Sequence, residues 1–213
     1  MLAITDANYK FIYVNIGGYG SEGDSGIFAA DKLGSKIYND ELPLPEDSTV
    51  NGTKLPFFFI GDDAFALNKR IMKPYSPSAG RPLSEQETVF NYRLSRARRC
   101  VENSFGIMTR KFICLSLQLN QSPTRVSKIV LACCVLHNLL IADNIYCPPA
   151  FGDHYNSTGI LVEGEWRKNK IDVTTLQSVS GRIPDNAKQI RDALKDYVNS
   201  PCGSLPWQAQ YIR

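Results

Sequence analysis

The sequence predicts an α/β domain, on three observations. Strand-forming segments come first, helical periodicities follow, and one apolar run near residue 57 is hydrophobic at consecutive positions. The 213 residues suffice for one sizeable core. An apolar share of 43% and a charged share of 21% are those of an ordinary globular chain, which argues against disorder.

Residues 2–5 (LAIT) and 11–16 (FIYVNI) are rich in strand formers, and the turn-type stretch DANYK between them predicts a β-hairpin. Gly17, Gly18 and Gly20 break its second strand. Asp24 and Ser25 are candidate caps of a short helix over about 25–33, ended by Gly34. Residues 39–53 are polar, acidic and proline-containing, and read as a loop. Residues 55–61 read as a central strand, apolar on both faces and covered by helices. A basic loop with Lys73-Pro74-Tyr75 follows.

Ser84 and Glu87 form an S-x-x-E capping box at the start of a long helix. Phe90, Leu94, Ala97, Val101, Phe105 and Met108 trace one face of it. Residues 112–119 fit either a strand or an extension of that helix. Ser122-Pro123 opens another helix, through IVLACCVLHNLLIAD, with proline at its first position. Residues 144–183 read as loop-rich. Asp185 is a candidate cap for a last helix over about 186–199, and the tail is expected to pack back through Trp207.

No apolar run is long enough for a membrane span, and the N-terminus does not have the form of a secretory signal. The six cysteines form no C-x-x-C pair, and Cys133 and Cys134 are adjacent in an apolar run. That pattern suits reduced intracellular thiols rather than a zinc knuckle or a disulfide framework. Charge is uneven: residues 1–68 carry net −6 and residues 69–111 net +7, within a chain of net +3. The basic block fits a phosphate-facing surface or a solvated helix face equally well.

Three acids stand where a packed core would not choose them. Asp6 ends the first strand, Asp62 or Asp63 ends the central one, and Glu102 lies in the long helix beside Val101. Glu102 is about 100° round from that apolar neighbour, at the edge of the buried face. Strand alternation sends Asp62 and Asp63 to opposite faces, so only one can enter a shared site. Singly, each acid reads better as a turn residue or, for Glu102 with Arg98 and Arg99, as a helical ion pair. Together they suit a hard cation, Mg²⁺ or Mn²⁺, of the kind that serves phosphodiester cleavage in pairs. His137-Asn138 lies in an apolar helix and reads as core. Gly17, Gly18 and Gly20 lack the spacing of a nucleotide-binding loop.

The blocks DANYKFIYVNIGGYGSEGDSGIF, FFFIGDDAFAL, NYRLSRARRCVENSFGIMTRKF and ACCVLHN, in this order over about residues 2–143, resemble the PIF/Harbinger-type transposases and the nucleases derived from them. The tail IRDALKDYVNS…GSLPWQ resembles the ends of such proteins. The resemblance implies a ribonuclease H-like mixed sheet flanked by helices, with a helix-rich C-terminal half. It implies a catalytic core over 1–143, with 144–213 packed on the same domain. It implies a D-D-E triad of Asp6, Asp62 and Glu102 binding a divalent metal and cutting DNA in the nucleus. The family pattern selects Asp62 over Asp63. Asp24 matches a further family acid and is either a metal ligand or a helix cap. Arg98 and Arg99 lie on the helical face of Glu102, where the competing expectations are DNA phosphate contact and pairing with Glu102.

Family members usually carry a helical DNA-binding region ahead of this core. Met1 stands five residues before Asp6, so that region is expected to be missing and a partner protein to supply target recognition. The alternative expectation is a domesticated, inactive relative that binds DNA or chromatin.

Overall fold

The computed structural model describes residues 1–18, 23–77, 81–143, 145–168 and 183–211. The chain forms two compact units, one of residues 1–19 with 99–174, the other of residues 20–98 with 175–213. The fold is mixed α/β, with five α-helices and four two-stranded sheets among the described residues. None of those helices is long and apolar enough to cross a membrane.

In the first unit, β1 (Leu2–Thr5) and β2 (Phe11–Asn15) form the expected antiparallel hairpin, with an irregular register between Ile4 and Thr5. Helix α4 (Pro123–Leu140) starts on its proline and closes at Leu140, three residues short of the expected end. It packs Cys133 and Cys134 against Phe11 and Met108 as a small core. Asn138 bonds both main-chain groups of Phe11, accepting from its nitrogen at 2.7 Å and donating to its oxygen at 2.8 Å. A side-chain amide thus takes the place of a neighbouring strand at Phe11. His137 is fully buried and also structural: Nε2 donates to the Tyr9 carbonyl, so Nδ1 accepts from the Tyr146 hydroxyl, each at 2.9 Å. A second hairpin pairs β7 (His154–Tyr155) with β8 (Leu161–Val162). Residues 112–119 are neither strand nor α-helix; Ile113–Ser116 form a 3₁₀ turn.

In the second unit, helix α1 (Gly23–Ala30) is followed by α2 (Lys32–Tyr38). Gly34 does not end a helix: it lies inside α2, which Asp31 caps through Leu33 N at 2.8 Å and Gly34 N at 3.3 Å. The expected loop over 39–53 contains a strand, since β3 (Ser48–Val50) pairs with β4 (Thr53–Leu55). Asn51 and Gly52 between them have φ of 49° and 79°, the left-handed pair that a two-residue hairpin requires.

The central strand is much shorter than its apolar run suggests. Only Phe59–Ile60 (β5) is strand, and it pairs in parallel with β6 (Ile71–Met72). Phe57 and Ile60 are 45% and 38% exposed, so the run is not buried on both faces. The core lies around Leu67, Met72, Phe90, Leu94 and Ala187.

Helix α3 (Glu85–Lys111) carries the division between the units, between Arg98 and Arg99. Its capping box is reciprocal: Ser84 N donates to Glu87 at 2.8 Å and Glu87 N to Ser84 Oγ at 3.2 Å. Of the expected apolar face, Phe90, Leu94 and Met108 are buried, whereas Ala97 is exposed. Asn103, Ser104 and Ile107 are buried instead. Helix α5 (Asp185–Asn199) begins one residue early, so Asp185 is inside it and Pro184 holds the cap position. In the tail, Trp207 lies against the Arg96 guanidinium, 5.6 Å from ring centre to Cζ. Gly20 and residues 144, 169–182 and 212–213 of the expected loop-rich and tail segments lie outside the described residues.

Candidate active site

Asp6 follows β1 and organises the turn that leads into β2. Its Oδ1 accepts from Asn8 N at 2.8 Å and Lys10 N at 2.9 Å. Both bonds fall on one oxygen, so the carboxylate shapes the turn. Glu102 belongs to the same unit. Its side chain is 44% exposed, and Oε2 lies 3.5 Å from Arg167 Nη2.

Behind Glu102 is a network that sequence reasoning missed. Asp153 has a completely buried side chain, held by Arg167 through Nε at 2.9 Å to each carboxylate oxygen. Gly164 N adds a bond at 2.8 Å and Arg99 a pair at 3.5 Å. Burial pushes the Asp153 carboxyl up, but these donors outweigh it and hold it below the usual carboxylate range. Arg167 is correspondingly raised, first by its bond to Asp153. Asn103, one residue past Glu102, exchanges bonds with the Asp153 main chain at 2.9 and 3.0 Å and accepts from Trp166 Nε1 at 2.9 Å. The only local hints were Gly106, one turn along from Glu102, and the isolated Trp166-Arg167 pair in a polar segment.

In the second unit, Asp62 follows β5. Its Oδ1 accepts from Ala64 N at 2.9 Å, and its Oδ2 lies 3.5 Å from Arg98 Nη2. Asp63 points to different partners, Lys73 Nζ at 2.9 Å and Ser76 Oγ at 2.8 Å. Burial raises its carboxyl, and those bonds bring it below the ordinary value. The two acids therefore separate as expected, but a turn separates them, because the strand has already ended at Ile60. Asp24 is the second residue of α1, in the first turn rather than at the cap, where the helix dipole favours a carboxylate. Arg98 contacts Asp62, whereas Arg99 reaches Asp153 and the Tyr155 hydroxyl at 3.1 Å.

The triad residues thus divide between the units, Asp6 and Glu102 in one, Asp62 with Arg98 and Asp24 in the other. Within neither unit, among the described residues, do three His, Cys, Asp or Glu groups gather as a metal site. The donors themselves are all carboxylate oxygens, the type hard divalent cations take. At 3.5 Å the arginine contacts of Asp62 and Glu102 are long for charge-assisted hydrogen bonds. In ligand type alone, these carboxylates suit Mg²⁺ or Mn²⁺.

Residues 1–138 match the model of the DDE superfamily endonuclease domain. The chain belongs to the DDE superfamily endonucleases. It is 28% identical over 146 residues to "Protein ALP1-like" of Arabidopsis thaliana, covering 65% of this chain and 34% of that protein. It is 28% identical over 145 residues to "Putative nuclease HARBI1" of Mus musculus, covering 65% and 36%. The human protein of that name is 28% identical over 141 residues, with the same coverages. The chain spans about a third of the length of these relatives. No solved structure gives a significant match. The matched segment encloses Asp6, Asp62, Arg98, Arg99 and Glu102, together with Asp24.

Proposed function

We propose that the chain is a divalent-metal-dependent DNA endonuclease of the transposase-derived kind, with Asp6, Asp62 and Glu102 as its catalytic carboxylates. The observation that carries the reading is the endonuclease family match over residues 1–138, which encloses all three. Asp6, Asp62 and Glu102 would hold Mg²⁺ or Mn²⁺, with Asp24 as a further ligand. When bound, such ions activate water and neutralise charge on the phosphate. The protein's part is to present the carboxylates. The Asp6 turn is pinned by its own side chain, and Glu102 stands on a helix braced by the buried Asp153–Arg167 pair.

In this reading the catalytic core is residues 1–143, the sheets are parts of a ribonuclease H-like mixed sheet, and 144–213 pack on the same domain. Arg98 and Arg99 serve the DNA backbone, a separate protein supplies target recognition, and the site of action is the nucleus.

A second reading, a relative that keeps the fold and binds DNA or chromatin without cutting, draws on the arginines set against Asp62 and Glu102. Nicking of supercoiled DNA with Mg²⁺ or Mn²⁺ separates the two. The endonuclease reading expects nicking by the parent and none by Asp62→Asn. Nicking that survives Asp62→Asn removes the triad, and a parent that neither nicks nor takes up Mn²⁺ by calorimetry favours the second reading.

A further inference from the structure

The first unit contains a cavity of about 540 Å³ that the triad does not explain. Asn8, Tyr9 and Lys10 of the Asp6 turn line it, together with Pro148, Pro149 and His154. The volume lies in the roughly 300–1,000 Å³ range of small-ligand sites and is far too small for a duplex.

Tyr9 is the unusual residue of this wall. Its φ is 66°, a left-handed conformation that a bulky aromatic side chain rarely adopts. His137 holds its carbonyl at 2.9 Å, and its nitrogen bonds the Asp6 carbonyl at 3.3 Å. Its ring lies beside Gly152, where an added Cβ would meet it at 3.6 Å, and its phenol is against the Asn103 amide. A buried histidine and a helix-borne amide thus maintain a strained residue next to the first triad acid. Strain of this kind persists where surrounding structure over-determines it, and clusters at functional sites.

We propose that this cavity is a subsite for one unpaired nucleotide of the DNA strand beside the cut, an inference that rests on the endonuclease reading. Tyr9 and the Pro148–Pro149 pair offer flat apolar surface to a base face. Lys10 and His154 are exposed lining residues, a cation and an imidazole whose Nδ1 lies 3.3 Å from the Gly152 carbonyl, and they suit the phosphate. The Lys10 nitrogen is itself bonded to Asp6 Oδ1 at 2.9 Å, so the same five-residue turn carries the carboxylate and the cavity wall. A base stacked in a duplex shows only its edges, so the occupant must be unstacked.

The test uses the full chain with 2′-deoxyadenosine 5′-monophosphate as probe, observed by saturation-transfer NMR, with inorganic phosphate as competitor. The variants are Lys10→Gln and Tyr9→Asn; asparagine tolerates the left-handed backbone, so the second removes the ring without forcing the turn open. Melting curves check that both fold. The expected result is nucleotide binding that equimolar phosphate does not displace, weakened roughly tenfold by Tyr9→Asn. Binding that is absent, equal in parent and variants, or fully displaced by equimolar phosphate overturns the subsite. The nicking assay above is run in parallel. A parent that nicks DNA but takes no nucleotide loses the subsite and keeps the endonuclease reading. Variant-sensitive nucleotide binding by a parent that does not nick keeps a nucleotide site and removes that reading.

Discussion

Arg167 grips the wholly buried carboxylate of Asp153 with two nitrogens and extends one of them to within 3.5 Å of Glu102, 65 residues away in sequence. An ion with no exposure is tolerable only when its remaining lone pairs are also met, and Gly164 N and Arg99 meet them here.

Removing one member of this pair strands the other. Arg167→Ala is expected to cost about 3–5 kcal/mol in urea unfolding, because it leaves Asp153 buried with only lesser partners. Arg167→Lys keeps the charge but not the two-pronged geometry, and should recover only part of that loss. The sign of the pH effect follows from Asp153. Its carboxyl lies below the usual value in the fold, so its contribution is complete above about pH 4 and declines as pH falls further. Asp153→Asn should therefore lower stability at neutral pH and flatten the acid limb. An unchanged acid limb would show that other groups carry it.

His137 acts in a higher window. Burial holds its imidazole below the ordinary value, against the opposing influence of its bond to the Tyr9 carbonyl. Below about pH 6.5 the unfolded chain gains a proton that the folded chain resists, so stability is full above that pH and falls as acid is added. His137→Gln should lower stability at pH 8 and lose the slope that sets in as pH falls below about 6.5. A retained slope in thermal melts would assign it to a different group.

Gly106 is fixed by one ring. A Cβ placed there would stand 2.1 Å from Trp166 Cε3 and 2.3 Å from Cδ2. Gly106→Ala must displace Trp166, and with it the bond to Asn103. Overpacking of this kind costs about 1–3 kcal/mol. In a Trp207→Phe background, tryptophan emission should shift to the red along with the fall in Tm. Unaltered emission would mean that the helix moves instead of the ring.

What the sequence disclosed was local. The DANYK hairpin, the Ser84–Glu87 box and the proline start of α4 each depend on residues within a few positions of one another, and each is present. The Asn51-Gly52 turn was equally legible, but the acidic, proline-containing segment around it masked the signal. The run FFFI misled because hydrophobicity measures affinity for a core without specifying how many residues pair as strand. The Asp62–Asp63 separation was foreseen for the wrong reason, since turn geometry replaces strand alternation. Asp153, Arg167 and Asn103 could not be found this way. Their contacts span 11 to 65 residues, and no periodicity encodes them.

Arg98 and Arg99 are adjacent in sequence but differ in what holds them, and this gives the last prediction. Arg99 is 20% exposed in its side chain, pairs with the buried Asp153, and lies over the Tyr155 ring at 5.6 Å. Removing it takes a partner from a buried carboxylate, so Arg99→Ala should act mainly on stability. Arg98 contacts Asp62, an acid 37% exposed, at the long distance of 3.5 Å. When a cation takes the place of the Arg98 guanidinium on Asp62, the guanidinium can turn to a phosphate. Each phosphate neutralised contributes about one unit to the slope of log affinity against log salt. Arg98→Ala should therefore reduce that slope by about one while leaving the Tm nearly unchanged, and Arg99→Ala should do the reverse. If Arg99→Ala flattens the slope and Arg98→Ala does not, the DNA contact belongs to Arg99 and its pairing with Asp153 is broken on binding.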